Sequence, residues 1–300
     1  MKKFCFAIYV SLLFFSYGCG SKLKDSPPQE LVFGIIPGAD AEAQLNRMNK
    51  VVAYLSQKLD MKVRYVKGTD YAAVIEAMKT GKVHIASTGP FSYLIASSQA
   101  NAEPLVATQY RNGGINYSGS LIFTFPGSGL NSMEDVINRA SELTMAFADP
   151  ASTSGYLYPL AYLRSLGLEP EEDFKEVFFA GGHAPGIYST ISGKVELACT
   201  YSIALDRMVA RGRITPDQYK ILWRSDKIPP TPIFVRKDLP NHIKQGIREA
   251  FLNMPAEAPE ILALIKEMYG KDLVYTAVSD TLYAELRYLV NQELENLLHQ

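Results

Sequence analysis

The chain has 300 residues, of which 47% are hydrophobic and 20% charged, with a net charge of -1 at pH 7 and a pI near 6.5. This is the composition of an ordinary globular protein, and the length exceeds what one core usually organises, so two domains are expected. The balanced charge argues against a nucleic-acid partner, and three cysteines without paired spacing give neither a disulfide framework nor a zinc site.

Lys2 and Lys3 open the chain, followed by a mostly apolar run from Phe4 to Tyr17 and then Gly18-Cys19. That run is shorter than the roughly 20 residues of a membrane span and suits the h-region of an export signal. Residues 1–19 resemble a bacterial lipoprotein signal, which implies that Cys19 becomes the lipidated first residue of the mature protein. Ser16-Tyr17 depart from the aliphatic and small residues usual there. Cys199, in "VELACTY", is then expected to be a buried structural thiol. Residues 20–30, "GSKLKDSPPQE", are polar with Pro27-Pro28 and read as a tether.

Beyond the tether, "LVFGII" reads as a strand, and Leu45, Met48, Val52, Leu55 and Leu59 follow at helical spacing. Next come "KVRYV", a helix "YAAVIEAMKT" and the strand "KVHIAS", then "GSLIFTF", "LTMAFA", "EVFFAG", "VELACTY" and "YKILWR", separated by helix or turn chemistry. From Asn241 onward the chain reads as largely helical, the last helix burying Leu282, Leu286, Leu289 and Leu297. The alternation predicts an α/β protein with mainly parallel sheets. "TGKVHIASTGP" (80–90) and "SGKVELACTYS" (192–202) share one pattern: a helix end, a glycine at the expected C′ position, a short apolar strand and a Thr-containing loop. The echo suggests two similar lobes built in tandem.

Ligands of open α/β sheets bind beyond the carboxyl ends of the strands. The loops at those ends are "STGPFSY", "DPASTSGY", "GGHAPG" and "TYS", all rich in small hydroxyl or glycine residues. Pro159 implies that the helix after the second loop begins near Gly155 or Tyr156, or is kinked there. Ser152, Thr153 and Ser154 then stand at a helix N-terminus, where free N–H groups and positive partial charge favour an anion. One hydroxyl would serve as an N-cap; three followed by Gly155 point to a compact oxyanion. His183, after Gly181-Gly182, can donate to such an oxyanion. Thr88 and Tyr93 in "STGPFSYL" are further candidates. Asp149, His183 and Ser154 invite a catalytic triad, but no G-x-S-x-G elbow surrounds Ser154, so no enzyme is expected.

"DPASTSGYLYP", "FFAGGHAPGIYSTISGKVELACTY", "SDKIPPTPIFVRKDLP" and "STGPFSYLIA", in this order, resemble the phosphate-, phosphite- and phosphonate-binding proteins of ABC uptake transporters, a PhnD-like family. The resemblance spans nearly all of the mature chain. It implies a two-lobed type II periplasmic-binding-protein fold with a ligand cleft between the lobes. It also implies a phosphorus oxyanion as ligand, permease and ATPase subunits as partners, and neither cofactor nor metal. On these motifs Ser152, Thr153 and Ser154 match the residues that hold the phosphonate head, His183 matches the family's histidine, and Tyr93 is carried over as well. Members that bind aminoalkyl phosphonates place acidic residues where this chain has Ile203 and Thr231, which argues against a ligand with an ammonium tail. The strand pattern places lobe I at 31–122 plus 234–300 and lobe II at 123–233. The expected protein is a monomeric exported lipoprotein, lipid-anchored at the periplasmic or cell-surface face of a membrane. The alternative is a sensing module of the same fold that signals to a partner kinase.

Overall fold

The computed structural model describes residues 28–36, 41–225 and 227–298. The expected leader with Cys19, and all but the end of the tether, lie outside the described residues. In chain order the first elements are β1 (Glu30–Ile35), α1 (Ala41–Leu59), β2 (Lys62–Lys67), α2 (Tyr71–Lys79), β3 (Ile85–Ser87), α3 (Pro90–Gln99) and β4 (Ala102–Tyr110). The middle of the chain gives β5 (Ser120–Thr124), α4 (Met133–Arg139), β6 (Thr144–Phe147), α5 (Tyr158–Ser165), α6 (Pro170–Asp173), β7 (Glu176–Phe179), α7 (His183–Ile191), β8 (Leu197–Tyr201), α8 (Ala204–Ala210) and β9 (Lys220–Arg224). The last part gives β10 (Pro232–Arg236), α9 (Asn241–Glu257), α10 (Pro259–Tyr269), β11 (Leu273–Ala277) and α11 (Ala284–Leu298).

Two sheets result, in the orders β11-β4-β10-β3-β1-β2 and β7-β6-β8-β5-β9. Each has an apolar cluster on both faces, because successive strand side chains point to opposite sides. In β1, Leu31, Phe33 and Ile35 pack with Met48, Leu55 and Phe251, whereas Val32 joins Val74, Met78, Tyr93 and Leu286 on the other face. In the second sheet, Ile122 of β5 and Cys199 of β8 face one cluster while Leu121 and Ala198 face the other. Cys199 is a buried free thiol, and burial pushes its pKa up.

The sheets are mixed where mainly parallel ones were expected. β1 pairs in parallel with β2 and β3, and β6 with β7 and β8, but β10 and β5 run antiparallel to their neighbours. These two are the first strands the chain makes after crossing from the other sheet, so they enter from the opposite end. Two strands were missed by sequence: β4, which contains Pro104, and β11, inside the stretch read as helical.

The chain crosses to the second sheet between Tyr110 and Ser120 and returns between Arg224 and Pro232. The expected lobe limits at 122/123 and 233/234 fall inside β5 and β10, and each of these strands belongs whole to one sheet. The crossovers pair with each other through Ser118 and Ile228, whose N–H groups donate reciprocally at 3.0 and 2.8 Å. The sequence echo has a structural counterpart. Both β3 and β8 lie between a parallel neighbour and the antiparallel entry strand. Each follows a helix closed by a glycine at positive φ, Gly81 at 79° and Gly193 at 70°.

Candidate functional site

The turn after β6 is shaped by a missing donor. Pro159 has no N–H, so the carbonyls it would bind in a regular helix are left to other partners. Gly155 O accepts the Ala148 N–H at 2.9 Å, and Ser154 O accepts the Ser120 hydroxyl at 2.6 Å. The chain takes a widened π-turn over Thr153–Leu157, with Leu157 N–H donating to Ser152 O at 3.1 Å, before α5 begins. Ser152 caps this turn, its hydroxyl accepting the Gly155 N–H at 3.0 Å. The N–H groups of Thr153 and Ser154 stand where a helix has no acceptor of its own. A Cβ at Gly155 would lie 2.4 Å from Ala148 Cβ and 3.0 Å from His183 Cε1, so only glycine lets the turn approach the histidine.

A cavity of about 550 Å³ lies between the two sheets, and Thr88, Ser152, Thr153, Ser154 and His183 are all in its wall. Three helix starts converge there: α3 after Gly89, the π-turn into α5, and α7 after Gly182. Gly181 and Gly182 hold φ of 79° and 149°, values that side chains rarely adopt, and so aim α7 and its first residue, His183, at the cavity. His183 Nδ1 lies 3.2 Å from Thr200 Oγ1, and burial lowers its pKa from 6.5 to about 4. The ring is a neutral imidazole; when Thr200 donates to Nδ1, Nε2–H is left as a donor. The triad is not formed: the Asp149 carboxylate instead accepts the Ala151 N–H at 2.8 Å and the Tyr71 N–H.

Each hydroxyl of the triplet has its own task. Ser152 also pairs with the Tyr71 hydroxyl. Thr153 Oγ1 accepts the Phe91 N–H, in the first turn of α3, at 2.9 Å. Ser154 Oγ makes no hydrogen bond among the described residues. Facing the same cavity, Thr88 Oγ1 is buried without a hydrogen-bond partner among the described residues, an arrangement that costs stability unless something else binds it.

Tyr93 is placed differently from the sequence expectation. It is buried in the first core, packs on Phe234 and Tyr283, and donates its hydroxyl to Asp280. Its position in the first turn of α3 turns it toward α11 and away from the cleft. The tyrosines in the cavity wall are Tyr71, at the start of α2 behind the Asp70 cap, Tyr201 and Tyr275. Arg207, also in the wall, donates to the Tyr201 hydroxyl at 2.9 Å. Ile203 and Thr231 line the cavity as well. The wall therefore combines neutral donors, helix N-termini, arginines and Lys271 with one carboxylate, Asp70, which caps α2 through the Ala73 N–H, a chemistry suited to oxyanions.

A model of the family described as ABC transporter, phosphonate, periplasmic substrate-binding protein matches residues 33–283. The chain is 30% identical over 241 residues to the phosphonates-binding periplasmic protein of Escherichia coli K12, covering 79% of this chain and 70% of that one. It is 26% identical over 277 residues to the phosphate-import protein PhnD of Mycolicibacterium smegmatis, covering 89% and 79%. Among solved structures, a binding protein component of an ABC phosphonate transporter from Pseudomonas aeruginosa superposes with a TM-score of 0.76 at 26% identity, over 88% of this chain and 86% of that one.

Proposed function

Because the chain belongs to the PhnD-like family of periplasmic substrate-binding proteins of ABC phosphonate, phosphite and phosphate transporters, which bind and do not catalyse, we propose that it captures a phosphorus oxyanion in the cleft between its lobes. The head group sits against Ser154, Thr88 and His183, between the starts of α3, α5 and α7. The observation that carries this reading is the buried, unpartnered Thr88 hydroxyl in a wall that also presents the unengaged Ser154 hydroxyl. Both donors complete their hydrogen bonding when an acceptor-rich anion enters. Neutral donors and helix dipoles then balance the charge without a metal. Ile203 and Thr231 in the wall favour a ligand without an ammonium tail. Family membership supports hand-over to a permease driven by an ATPase. The leader supports attachment through Cys19, which a Cys19→Ala protein recovered in the soluble fraction would bear out.

Calorimetry with phosphate, phosphite, methylphosphonate and sulfate tests the proposal. Ser154→Ala and His183→Ala are each expected to weaken the preferred anion by about 1–3 kcal/mol. Unchanged affinity in both variants removes these residues from the site, and equal affinity for sulfate removes the phosphorus assignment.

A further inference from the structure

The cavity has a second wall, apolar and built by the first lobe. Ile35 of β1 is the register partner of Ser87, the residue before Thr88, so this wall begins beside the proposed head-group end. Phe33 lies on the same face of β1, about 7 Å further along the strand, and also lines the cavity. Met48 and Val51 of α1, Phe251 of α9 and Ile265 of α10 complete this side. All belong to the apolar core of the lobe and are no more than 5% exposed. The polar side chains nearby are engaged: Gln44 donates to the Ile36 carbonyl at 2.8 Å, and Lys271 donates to Asn116, which donates to Thr108, at 3.2 Å each. Water finds no polar partner against the apolar side chains, whereas a hydrocarbon group placed there leaves water and gains dispersion contacts. The volume of about 550 Å³ is that of a site for a whole small organic molecule, within the usual range of about 300–1,000 Å³, and is more than an isolated oxyanion fills.

We infer that the ligand is a phosphonate with an unbranched apolar tail, whose carbon chain lies along Ile35 and Phe33 against α1 while the phosphorus head sits at Ser154 and His183. The inference rests on the head-group reading above and names the chemistry at the other end of the same ligand. Val51 and its apolar neighbours determine specificity in this scheme by size and polarity. Each methylene moved from water onto this wall strengthens binding until the chain outgrows the space, and a charged chain end loses its hydration there.

The test is calorimetry of the full chain with methyl-, propyl- and hexylphosphonate. At about threefold per fully buried methylene, affinity in the wild type should rise at least about thirtyfold from methyl to hexyl, with a heat-capacity change that grows more negative along the series. Hexyl chains ended in an ammonium or a carboxylate should bind more weakly than hexylphosphonate itself. No gain with chain length, or tighter binding of either charged-ended chain, overturns the inference, and this series needs no variant. Val51→Phe, which fills the apolar end, should bring the hexyl-to-methyl ratio below about threefold, and Val51→Thr, of the same shape but polar, should lower it by a smaller factor. A ratio unchanged in both variants also overturns it. Ser154→Ala separates this from failure of the head-group reading. Should that variant bind methyl- and hexylphosphonate as tightly as the wild type, both readings fall; should it weaken both while chain length leaves the wild-type affinity unchanged, only the tail assignment falls.

Discussion

Thr153, on the turn after β6, accepts the N–H of Phe91 in the first turn of α3 at 2.9 Å, so a side chain of one lobe caps a helix of the other. Ala151 and Leu157, on either side of it, are buried in the apolar cluster of the first lobe. Thr153→Val keeps the shape and removes the acceptor, stranding the Phe91 N–H. We expect about 1–3 kcal/mol weaker ligand binding, expressed mainly as faster dissociation, with Thr153→Ser close to wild type. Stopped-flow release and calorimetry read the two effects separately.

Gly155→Ala places a methyl 2.4 Å from Ala148 Cβ and 3.0 Å from His183 Cε1. Neither the turn nor the buried ring can move far, so about 1–3 kcal/mol of stability should be lost. Binding should fall further than stability, because the histidine is pushed from its place. A denaturant titration beside a binding isotherm compares the two losses.

The pH dependence of His183 has a definite sign. Burial lowers its pKa to about 4 from 6.5, so the fold favours the neutral ring. The stability this contributes is present above about pH 6.5 and is lost as pH falls through about 4. His183→Gln removes the titrating group. The difference in unfolding free energy between wild type and variant, followed from pH 7.5 to 4, should therefore shift against the wild type on the acid side. A pH-independent difference contradicts the neutral buried ring.

Arg164 of α5 bonds Glu293 of α11 at 2.7 Å, with the two side chains 10% and 11% exposed, and so ties the last helix of the first lobe to the second. Glu293→Ala leaves Arg164 with Glu169 at 2.9 Å as its remaining carboxylate. The expected cost is about 1–3 kcal/mol, less than for a wholly stranded charge. The paired change Arg164→Met, Glu293→Leu should recover most of it, as thermal unfolding would report.

The hydroxyl triplet, the two glycines before His183 and the repeated strand pattern were legible in sequence because each answers a local demand: a cap, a left-handed backbone, a buried strand. Thr88, Ser152, Thr153, Ser154 and His183 do share one cavity. What local rules could not supply was orientation across the chain. Tyr93 and Tyr71 both sit near helix starts, yet only packing against Phe234 and Tyr283 decides that Tyr93 turns inward. Similarly, β4 was hidden by Pro104, which argues against a central strand until its partner is known. It lies opposite Phe234 at a register shift between Ile233 and Phe234, where a missing N–H is tolerated. Arg207 gave no signal either, because an arginine on a short helix reads as a solvated surface residue.

The proline two residues into α5 fixes how this protein can evolve. Since Pro159 holds the π-turn open by its covalent structure, the backbone proposed to face the oxyanion is preorganised, and binding energy need not be spent on shaping it. New substrate ranges should therefore arise by exchange of residues elsewhere in the cavity wall. Libraries randomised over residues 148–159 should return mostly the starting sequence, whichever ligand is used for selection.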